Sequence, residues 1–268
     1  MRVMTEFEIP WRAPLDWEHL SVFLGRRAIP GIESFDESGY SREGIRVRRD
    51  GRRRKFLITL PHPWKAWDIG VRVARLFNAS ADSRTIAGRL QRDPMLRPLV
   101  ERHPGIRVPG GWDAFEIVIR AIVGQQVSVA AARSMIGTIA NQCGERTANG
   151  LSFPTPERIS SSPLSIGMPR RRLDSIRAIS MSVATGALVL EKRATLEETL
   201  AALQSLPGIG PWSANYIAMR AFGEPDAFPA GDLVLRRNAG GMSEQELTRR
   251  AERWRPYRAY AAMLLWTK

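Results

Sequence analysis

The 268-residue sequence contains a single cysteine, Cys143. One cysteine excludes an internal disulfide, and it excludes iron–sulfur and zinc sites that need four cysteine ligands. Scarce cysteine is typical of proteins from reducing compartments. The sequence also lacks a run of about 18 apolar residues, the length that a membrane-spanning helix needs. Because residues 1–14 contain no apolar core of signal-peptide length either, we expect a protein that has no membrane partner.

Acidic residues are scarce relative to basic ones. The chain has 27 aspartates and glutamates against 40 lysines and arginines, which gives a net charge of +13. This excess favours a polyanionic partner, with nucleic acid as the first candidate, although charge alone leaves a merely solvated basic surface open. Since 44% of the residues are hydrophobic, the chain can bury a core in one large domain or in two to three small ones.

The first 90 residues or so predict a mixed α/β structure. We predict a strand over Thr5–Pro10 and a helix with Asp16 as its N-cap. Asp50-Gly51 lies between two alternating segments, which indicates a β-hairpin over residues 45–60, and residues 64–77 have helical periodicity. Seven of the ten residues from 46 to 55 are Arg or Lys, so this hairpin is either a phosphate-facing ribbon or a solvated tip.

From about Asp113 onward the pattern is helical. Residues 113–144 predict two helices separated near Gly124, and a Gly-Met-Pro turn at 167–169 precedes a basic helix. Thr195 and Glu198 form a capping box for a further helix that ends near Pro207. Since no strand-like alternation is visible in this half, the expected fold class is α+β: an N-terminal α/β domain with an antiparallel sheet, followed by an all-helical core.

The segment from 206 to 216, LPGIGPWSANY, predicts a tight turn between two helices, a helix-hairpin-helix. Gly208 and Gly210 let the backbone turn without side chains in the way, and Pro211 suits the first helical turn. Backbone N–H groups at such a helix start can bind a phosphate oxygen. The alternative is an ordinary turn between two helices, and the basic charge of the chain favours the phosphate site.

Asp232 lies directly before an apolar, helix-compatible run in the segment AFGEPDAFPAGDLVLRR. An aspartate at such a position is most often an N-cap. This one follows Gly210 by 22 residues, past one helix and a proline-containing loop. One carboxylate can serve both as a helix cap and in catalysis, so the two interpretations need not compete.

With this spacing the sequence resembles the helix-hairpin-helix/Gly-Pro-Asp superfamily of DNA base-excision glycosylases, and within it the AlkA-type 3-methyladenine DNA glycosylase II. The resemblance covers nearly the whole chain, including LDWEHLSVFLGRRA, GGWDAFEIVIRAIVGQQVSVAAA and AERWRPYRAYAAMLLW. The hairpin-to-aspartate segment is specific to the superfamily, and ERWRPYRAYA is specific to its alkylation branch. The resemblance implies three domains: residues 1–93, residues 114–224 with the hairpin, and residues 94–113 together with 225–268.

The resemblance implies a role for each matching residue. Asp232 is the catalytic carboxylate. Gln126 does not match the family's leucine, and from the Gly-Gln-Gln-Val loop at 124–127 we predict that it is the wedge that enters the duplex. The aromatic base pocket consists of Trp212, Tyr216 and Trp266, with Phe23 and Val129 at its edges. DNA phosphate is bound at Gly208, Gly210 and Trp212. A monovalent cation is bound in the hairpin by the backbone carbonyls of Gln204, Leu206 and Ile209. For the aromatic residues, ordinary core packing is the alternative, because Trp212 and Tyr216 share one helix face.

Two positions depart from the family pattern, and a third separates two subtypes. Gln126 stands where the best-known members have a leucine. Leu233 stands where a tyrosine can occur. Trp212 stands where lyase-competent relatives have a lysine that forms a Schiff base with the sugar. The resemblance therefore implies a monofunctional enzyme that removes alkylated bases from double-stranded DNA and leaves an abasic site. It also implies a bacterial, cytoplasmic monomer that requires no cofactor, apart from a structural cation in the hairpin.

Two alternatives stay open at this point. One is a glycosylase for deaminated or oxidised bases. The other is a non-catalytic DNA-binding protein that uses the hairpin for grip alone.

Overall fold

The computed structural model describes residues 5–61 and 65–268. Its N-terminal part contains a five-stranded antiparallel sheet with the strand order β1-β5-β4-β3-β2. The strands are β1 (Thr5–Pro10), β2 (Glu33–Asp36), β3 (Gly39–Arg42), β4 (Ile45–Asp50) and β5 (Lys55–Leu60). The predicted strand and the predicted hairpin are confirmed. The hairpin loop spans residues 51–54, because Asp50 and Lys55 form the last pair of the two strands.

Four helices lie along the chain within and after the sheet: α1 (Trp17–Gly25), α2 (Ala66–Leu76), α3 (Ser83–Leu90) and α4 (Arg97–Arg102). Asp16 caps α1 as predicted, since its Oδ1 accepts a hydrogen bond of 2.9 Å from the His19 amide. The helix predicted over 64–77 is confirmed as α2, although Trp64 lies outside the described residues. Alternate residues of β5 (Phe56, Ile58 and Leu60) are buried, which is the pattern of a sheet with one face against a core.

The C-terminal part is a helical assembly. Its helices are α5 (Ala114–Val123), α6 (Val129–Cys143), α7 (Pro156–Ser161), α8 (Arg170–Ala184), α9 (Leu196–Gln204), α10 (Pro211–Ala221), α11 (Leu233–Asn238), α12 (Glu244–Ala251) and α13 (Arg258–Trp266), with a short 3-10 helix at Glu252–Trp254. The predicted break near Gly124 is confirmed, and so is the capping box of Thr195 and Glu198. The central helix is α5, which packs against α6, α8 and α10 and buries eight of its ten residues.

The α+β fold class is confirmed, with one local correction to the all-helical core. Two short strands, β6 (Arg146–Thr147) and β7 (Gly150–Leu151), form a small antiparallel hairpin after α6. Each strand has only two residues, which is too short for an alternation of apolar and polar residues to be visible in the sequence. Within the described ranges, no helix is long and apolar enough to cross a membrane.

A buried ionic network joins the sheet to the helical part. Arg42 on β3 contacts Glu116 on α5 at 2.7 Å, and Arg120 on α5 contacts Glu33 on β2 at 2.6 Å. Burial alone would raise the pKa of Glu33, but the charges of Arg120 and Arg42 outweigh it and lower the pKa to about 2. Paired in this way, the charges hold α5 in one position relative to the sheet, and α5 in turn positions the loop that carries Gln125 and Gln126.

Candidate active site

The hairpin consists of α9, a loop over residues 205–210, and α10. Gly208 has a φ of +77°, and a Cβ at this position would lie 2.6 Å from the hydroxyl oxygen of Ser175. Glycine is therefore required at 208 both for the backbone conformation and for space. Gly210 is the N-cap of α10 and has open space around it, and Pro211 begins the helix as predicted.

The two hairpin glycines face solvent, and neither N–H group donates a hydrogen bond to the part of the chain that the structure describes. Two unpaired N–H groups at the start of a helix suit an incoming phosphate oxygen. Between them Ile209 is buried and anchors the loop. Its amide donates to the carbonyl of Leu206 at 3.2 Å. The cation site at the carbonyls of Gln204, Leu206 and Ile209 stays a prediction.

Gln125 braces the hairpin from the opposite side. Its side-chain amide donates to the carbonyl of Gly208 at 2.8 Å and to the hydroxyl of Ser213 at 3.0 Å. This contact connects the loop after α5 to the hairpin over a separation of 83 residues. The sequence pattern did not predict this bracing role. The glutamine pair indicates only that one of the two could enter DNA, and the structure shows Gln125 engaged within the protein.

Asp232 is the N-cap of α11, and its carboxylate accepts four hydrogen bonds. Oδ1 accepts from the amides of Val234 and Leu235, each at 2.9 Å. The indole N–H groups of Trp266 and Trp212 donate to Oδ1 at 3.2 Å and to Oδ2 at 2.9 Å. All four donors are neutral, and none of the described basic side chains forms an ion pair with Asp232. The carboxylate is thus fixed in orientation, and no ion pair with a described residue compensates its negative charge.

The predicted aromatic residues meet at this carboxylate. Trp212 and Tyr216 stack with their ring centroids 5.4 Å apart and their planes 10° from parallel. Both side chains are half-buried, as is that of Trp266, whereas residues of an ordinary core would be closed off from solvent. Because each indole N–H is directed at Asp232, the positions of both tryptophans are fixed relative to the carboxylate.

These residues line one open cleft of about 1720 Å³. The structure brings the predicted catalytic, pocket, wedge and phosphate-binding residues together there: Asp232, Trp212, Tyr216, Trp266, Phe23, Val129, Gln126, Gly208 and Gly210. Phe23 is buried at the wall of the cleft, and Val129 is exposed at the start of α6. The cleft therefore combines an oriented carboxylate, aromatic faces and free backbone donors.

The two departures from the family pattern lie on exposed parts of the cleft. Gln126 is exposed, has a φ of +57°, and its side-chain oxygen accepts a hydrogen bond of 3.1 Å from Arg172. Leu233 is 76% exposed, directly after the capping aspartate. Both side chains can contact a bound partner without any loss of core packing, although Gln126 would exchange its hydrogen bond with Arg172.

Two arginines of the cleft were missed by sequence reasoning. The guanidinium carbon of Arg27 lies 3.7 Å from the ring centroid of Phe23, and that of Arg220 lies 4.9 Å from the same ring and 5.5 Å from that of Tyr216. Arg220 is buried and donates to the Tyr216 hydroxyl at 2.8 Å. Each arginine follows an aromatic residue of the pocket by four positions, and that spacing was the available signal.

The charges of these arginines act on Tyr216. Burial alone would raise the pKa of the Tyr216 hydroxyl, but the positive charges of Arg220, Arg27 and Arg120 outweigh it and lower the pKa below its usual value. Burial also lowers the pKa of Arg220 itself. The wall of the cleft around Phe23 and Tyr216 therefore has a positive potential.

Comparison with known families agrees with this geometry. A family model described as the AlkA N-terminal domain matches residues 6–113, and one described as the HhH-GPD superfamily base excision DNA repair protein matches residues 119–253. This chain belongs to the HhH-GPD superfamily of base excision DNA repair proteins.

Individual relatives match over nearly the whole chain. The Escherichia coli protein named DNA-3-methyladenine glycosylase 2 is 31% identical, over 97% of this chain and 96% of its own length. The Mycobacterium tuberculosis protein named probable bifunctional transcriptional activator/DNA repair enzyme AlkA is 35% identical over 97% of this chain, which spans 56% of that longer protein. A solved structure of a 3-methyladenine DNA glycosylase from Archaeoglobus fulgidus shares the fold, with a TM-score of 0.83 at 20% identity and 97% coverage of both chains.

Proposed function

We propose that this chain is a monofunctional DNA glycosylase that hydrolyses the bond between an alkylated base and its sugar in double-stranded DNA. The observation that carries the proposal is the carboxylate of Asp232, oriented by four neutral donors in an open aromatic cleft. Membership of a base-excision repair superfamily supports the same conclusion. So does the name of the Escherichia coli relative, which refers to 3-methyladenine.

DNA binding begins at the hairpin. The exposed N–H groups around Gly208 and Gly210 bind phosphate oxygens of one strand. The target bond is out of reach within a duplex, so the damaged nucleotide rotates into the cleft, at a cost of a few kcal/mol for unstacking and unpairing. An alkylated base with a weakened pair is cheaper to extrude, which contributes to selection.

Base removal then depends on Asp232. As the bond from the sugar C1′ to the base nitrogen breaks, positive charge develops on the sugar in an oxocarbenium-like transition state. A carboxylate fixed next to C1′ stabilises this charge, because its dipolar surroundings are already organised before the reaction. Water adds to C1′ and loses a proton, and the products are the free base and an abasic site. No cofactor enters this sequence of steps.

The aromatic residues serve to bind the base. A purine stacks on the faces of Trp212, Tyr216 and Trp266, and a base alkylated at a ring nitrogen is a cation that such faces attract. Since both indole N–H groups bind Asp232, a base stacked on these rings is placed at a defined distance from the carboxylate. Binding of the base and catalysis at the sugar are therefore coupled by two hydrogen bonds.

The monofunctional assignment rests on Trp212. An indole nitrogen cannot attack the sugar to form an imine, whereas an amine at this position could. Borohydride treatment during the reaction is therefore expected to trap no covalent protein–DNA adduct, as judged on a denaturing gel. A trapped adduct would show that a lysine elsewhere attacks the sugar and that the enzyme is bifunctional.

A panel of duplexes, each with one defined lesion, tests the proposed function. We expect free base to be released from duplexes with 3-methyladenine and 7-methylguanine, with an abasic site left behind. Release only from deaminated or oxidised bases would identify a glycosylase of different specificity. Binding without release of any base would identify a non-catalytic DNA-binding protein. We further propose that the protein acts in the cytoplasm as a monomer. Sedimentation at working concentration would check that it is a monomer.

A further inference from the structure

Arg27 and Arg220 place two positive charges at a pocket that is proposed to receive cationic bases. Arg120, their neighbour, is compensated by ion pairs with Glu33 and Glu116 at 2.6 and 2.7 Å. Neither Arg27 nor Arg220 forms an ion pair with an acid of the described residues. The net charge of this wall is therefore positive, and the lowered pKa of the Tyr216 hydroxyl reports the same potential.

The two arginines differ in what they can reach. Arg220 is buried, and each of its three guanidinium nitrogens donates within the protein: to the carbonyl oxygens of Pro109 and Gly110 and to the Tyr216 hydroxyl. Arg27 is half-buried, lines the cleft, and donates to the carbonyl of Phe23 at 3.1 Å while its guanidinium lies over the Phe23 ring. Arg27 also interacts with the Tyr216 hydroxyl. A guanidinium has five N–H donors, so Arg27 still has donors left for a ligand. Arg27 can therefore contact a bound base directly, whereas Arg220 contributes only its positive charge to the pocket.

The charge of the departing base decides what such a wall does. When a neutral purine leaves, both electrons of the C1′–N bond stay on the base, which becomes an anion until it takes a proton from water. When a base that is alkylated at a ring nitrogen leaves, the same electron pair neutralises its positive charge. In both cases one water is consumed, its oxygen bonds to C1′, and no other reactant is needed. A positive wall stabilises the anionic leaving group and does nothing comparable for the neutral one.

We propose that Arg27, supported by Arg220, is a specificity-determining residue that promotes excision of neutral lesions whose base departs as an anion. This inference rests on the proposed glycosylase function and deepens it. The pocket then has two complementary parts: aromatic faces that attract cationic alkylated purines, and a positive wall that assists neutral ones with acceptor oxygens or nitrogens.

The test compares two duplexes of the same sequence, one with hypoxanthine as a neutral lesion and one with 7-methylguanine as a cationic lesion. Single-turnover excision rates are measured for the wild type and for Arg27→Gln. Losing a hydrogen bond to a charged group costs roughly tenfold to a hundredfold, so we expect that loss for hypoxanthine and less than about a threefold change for 7-methylguanine. Arg27→Lys keeps the charge and should restore part of the hypoxanthine rate.

Arg133→Gln is the matched control. Arg133 lines the same cleft and donates to the Ala28 carbonyl at 2.7 Å, but it is not stacked on an aromatic residue of the pocket. The ratio of the two rates should not change in this variant. An equal loss for both lesions in Arg27→Gln, with an unchanged melting temperature, would overturn the proposal. If the wild type released neither base, the proposed function itself would fail, which is a distinguishable result.

Discussion

Two aspartates in this molecule bind an indole N–H at the same distance and are nevertheless suited to different tasks. Asp232 in the cleft accepts from Trp212 at 2.9 Å, and Asp93 in the helical interior accepts from Trp254 at 2.9 Å. Asp93 is 6% exposed, and it also accepts from the guanidinium of Arg250 at 2.7 Å. Among the described residues Asp232 has only neutral donors, and it faces an open cleft.

This difference shows what distinguishes a structural carboxylate from one that is available for chemistry. The two features are the charge of its hydrogen-bond partners and whether a ligand can reach it. In the interior, the positive charge of Arg250 compensates the negative charge of Asp93. The electric fields of the two groups therefore largely cancel away from the pair. In the cleft, neutral donors orient Asp232 without compensating its charge, so the carboxylate can stabilise a cation that develops nearby.

Gln125 and Gln126 repeat this contrast in neighbouring positions. Gln125 is engaged with the carbonyl of Gly208 and the hydroxyl of Ser213 inside the protein. Gln126 is exposed, and its side-chain oxygen accepts a hydrogen bond from Arg172 at the surface. We therefore expect the first glutamine to act on the shape of the hairpin and the second to act on DNA.

The largest expected effect comes from removing the charge of Asp232. Asp232→Asn keeps an oxygen for the cap of α11 but leaves no negative charge to face the sugar, and excision should fall by about a thousandfold. DNA binding should remain close to that of the wild type. Asp93→Asn, the matched control, should excise base normally per folded molecule. Single-turnover release of 7-methylguanine measures both, and near-normal excision by Asp232→Asn would remove it from the catalytic role.

Removing the indole hydrogen bond to each aspartate tests the same comparison, and the expected effects are smaller. Trp266→Phe keeps a ring in the cleft but removes one hydrogen bond to Asp232, and we expect excision to fall about tenfold or more. Trp254→Phe removes the equivalent bond to Asp93, and it should instead lower the free energy of unfolding by about 1–3 kcal/mol. The same loss of stability in both variants, with activity unchanged, would mean that the donors to Asp232 serve only the fold.

Substitutions of Gln125 and Gln126 are expected to have moderate effects, and the effect at Gln126 should depend on whether the target base is paired or mismatched. Gln126→Ala leaves a hole where the extruded nucleotide was, so excision from a stable pair should fall by up to about tenfold. The loss should be smaller at a mismatch, which is cheap to open, and Gln126→Leu should be tolerated because leucine also fills the hole. Gln125→Ala should weaken hairpin binding equally in both duplexes. Equal losses for Gln126→Ala in the two contexts would refute the wedge.

The smallest expected effect is the contribution of Asp93 to the pH dependence of stability. Burial alone would raise the pKa of Asp93, but hydrogen bonds from Arg250, Trp254 and the Met95 amide outweigh it and lower the pKa. A lowered pKa means that the contribution is complete above about pH 4, the usual value for aspartate, and is lost as the pH falls through the lowered value.

Urea unfolding of the wild type and of Asp93→Asn between pH 7 and pH 2.5 measures this contribution. The difference in unfolding free energy should be largest at neutral pH and should shrink in acid. Glu33 titrates in both proteins, so its effect cancels in the difference. A difference that does not depend on pH would show that the ionised form of Asp93 is not the form that stabilises the fold.

Much of the local structure was predictable because it depends on residues that are close in the sequence. The caps at Asp16, Thr195 and Asp232 all involve hydrogen bonds to amides two or three residues further along the chain. The hairpin at Gly208 was predictable for the same reason, since the requirement for a positive φ is a property of the turn itself. The two-residue strands β6 and β7 were not predictable, because strands of two residues have no pattern of apolar and polar residues of their own.

The sequence by itself thus determined several helix caps, the hairpin, the capping aspartate and, through resemblance, the family. Only the tertiary structure decided which residues surround that aspartate. Trp266 meets Asp232 over 34 residues, Gln125 meets Gly208 over 83, and Arg27 reaches a pocket formed mainly by the other half of the chain. These contacts depend on how the sheet, α5 and α10 pack together, and packing is set by the shapes and paired charges of many distant residues at once, which no short pattern records.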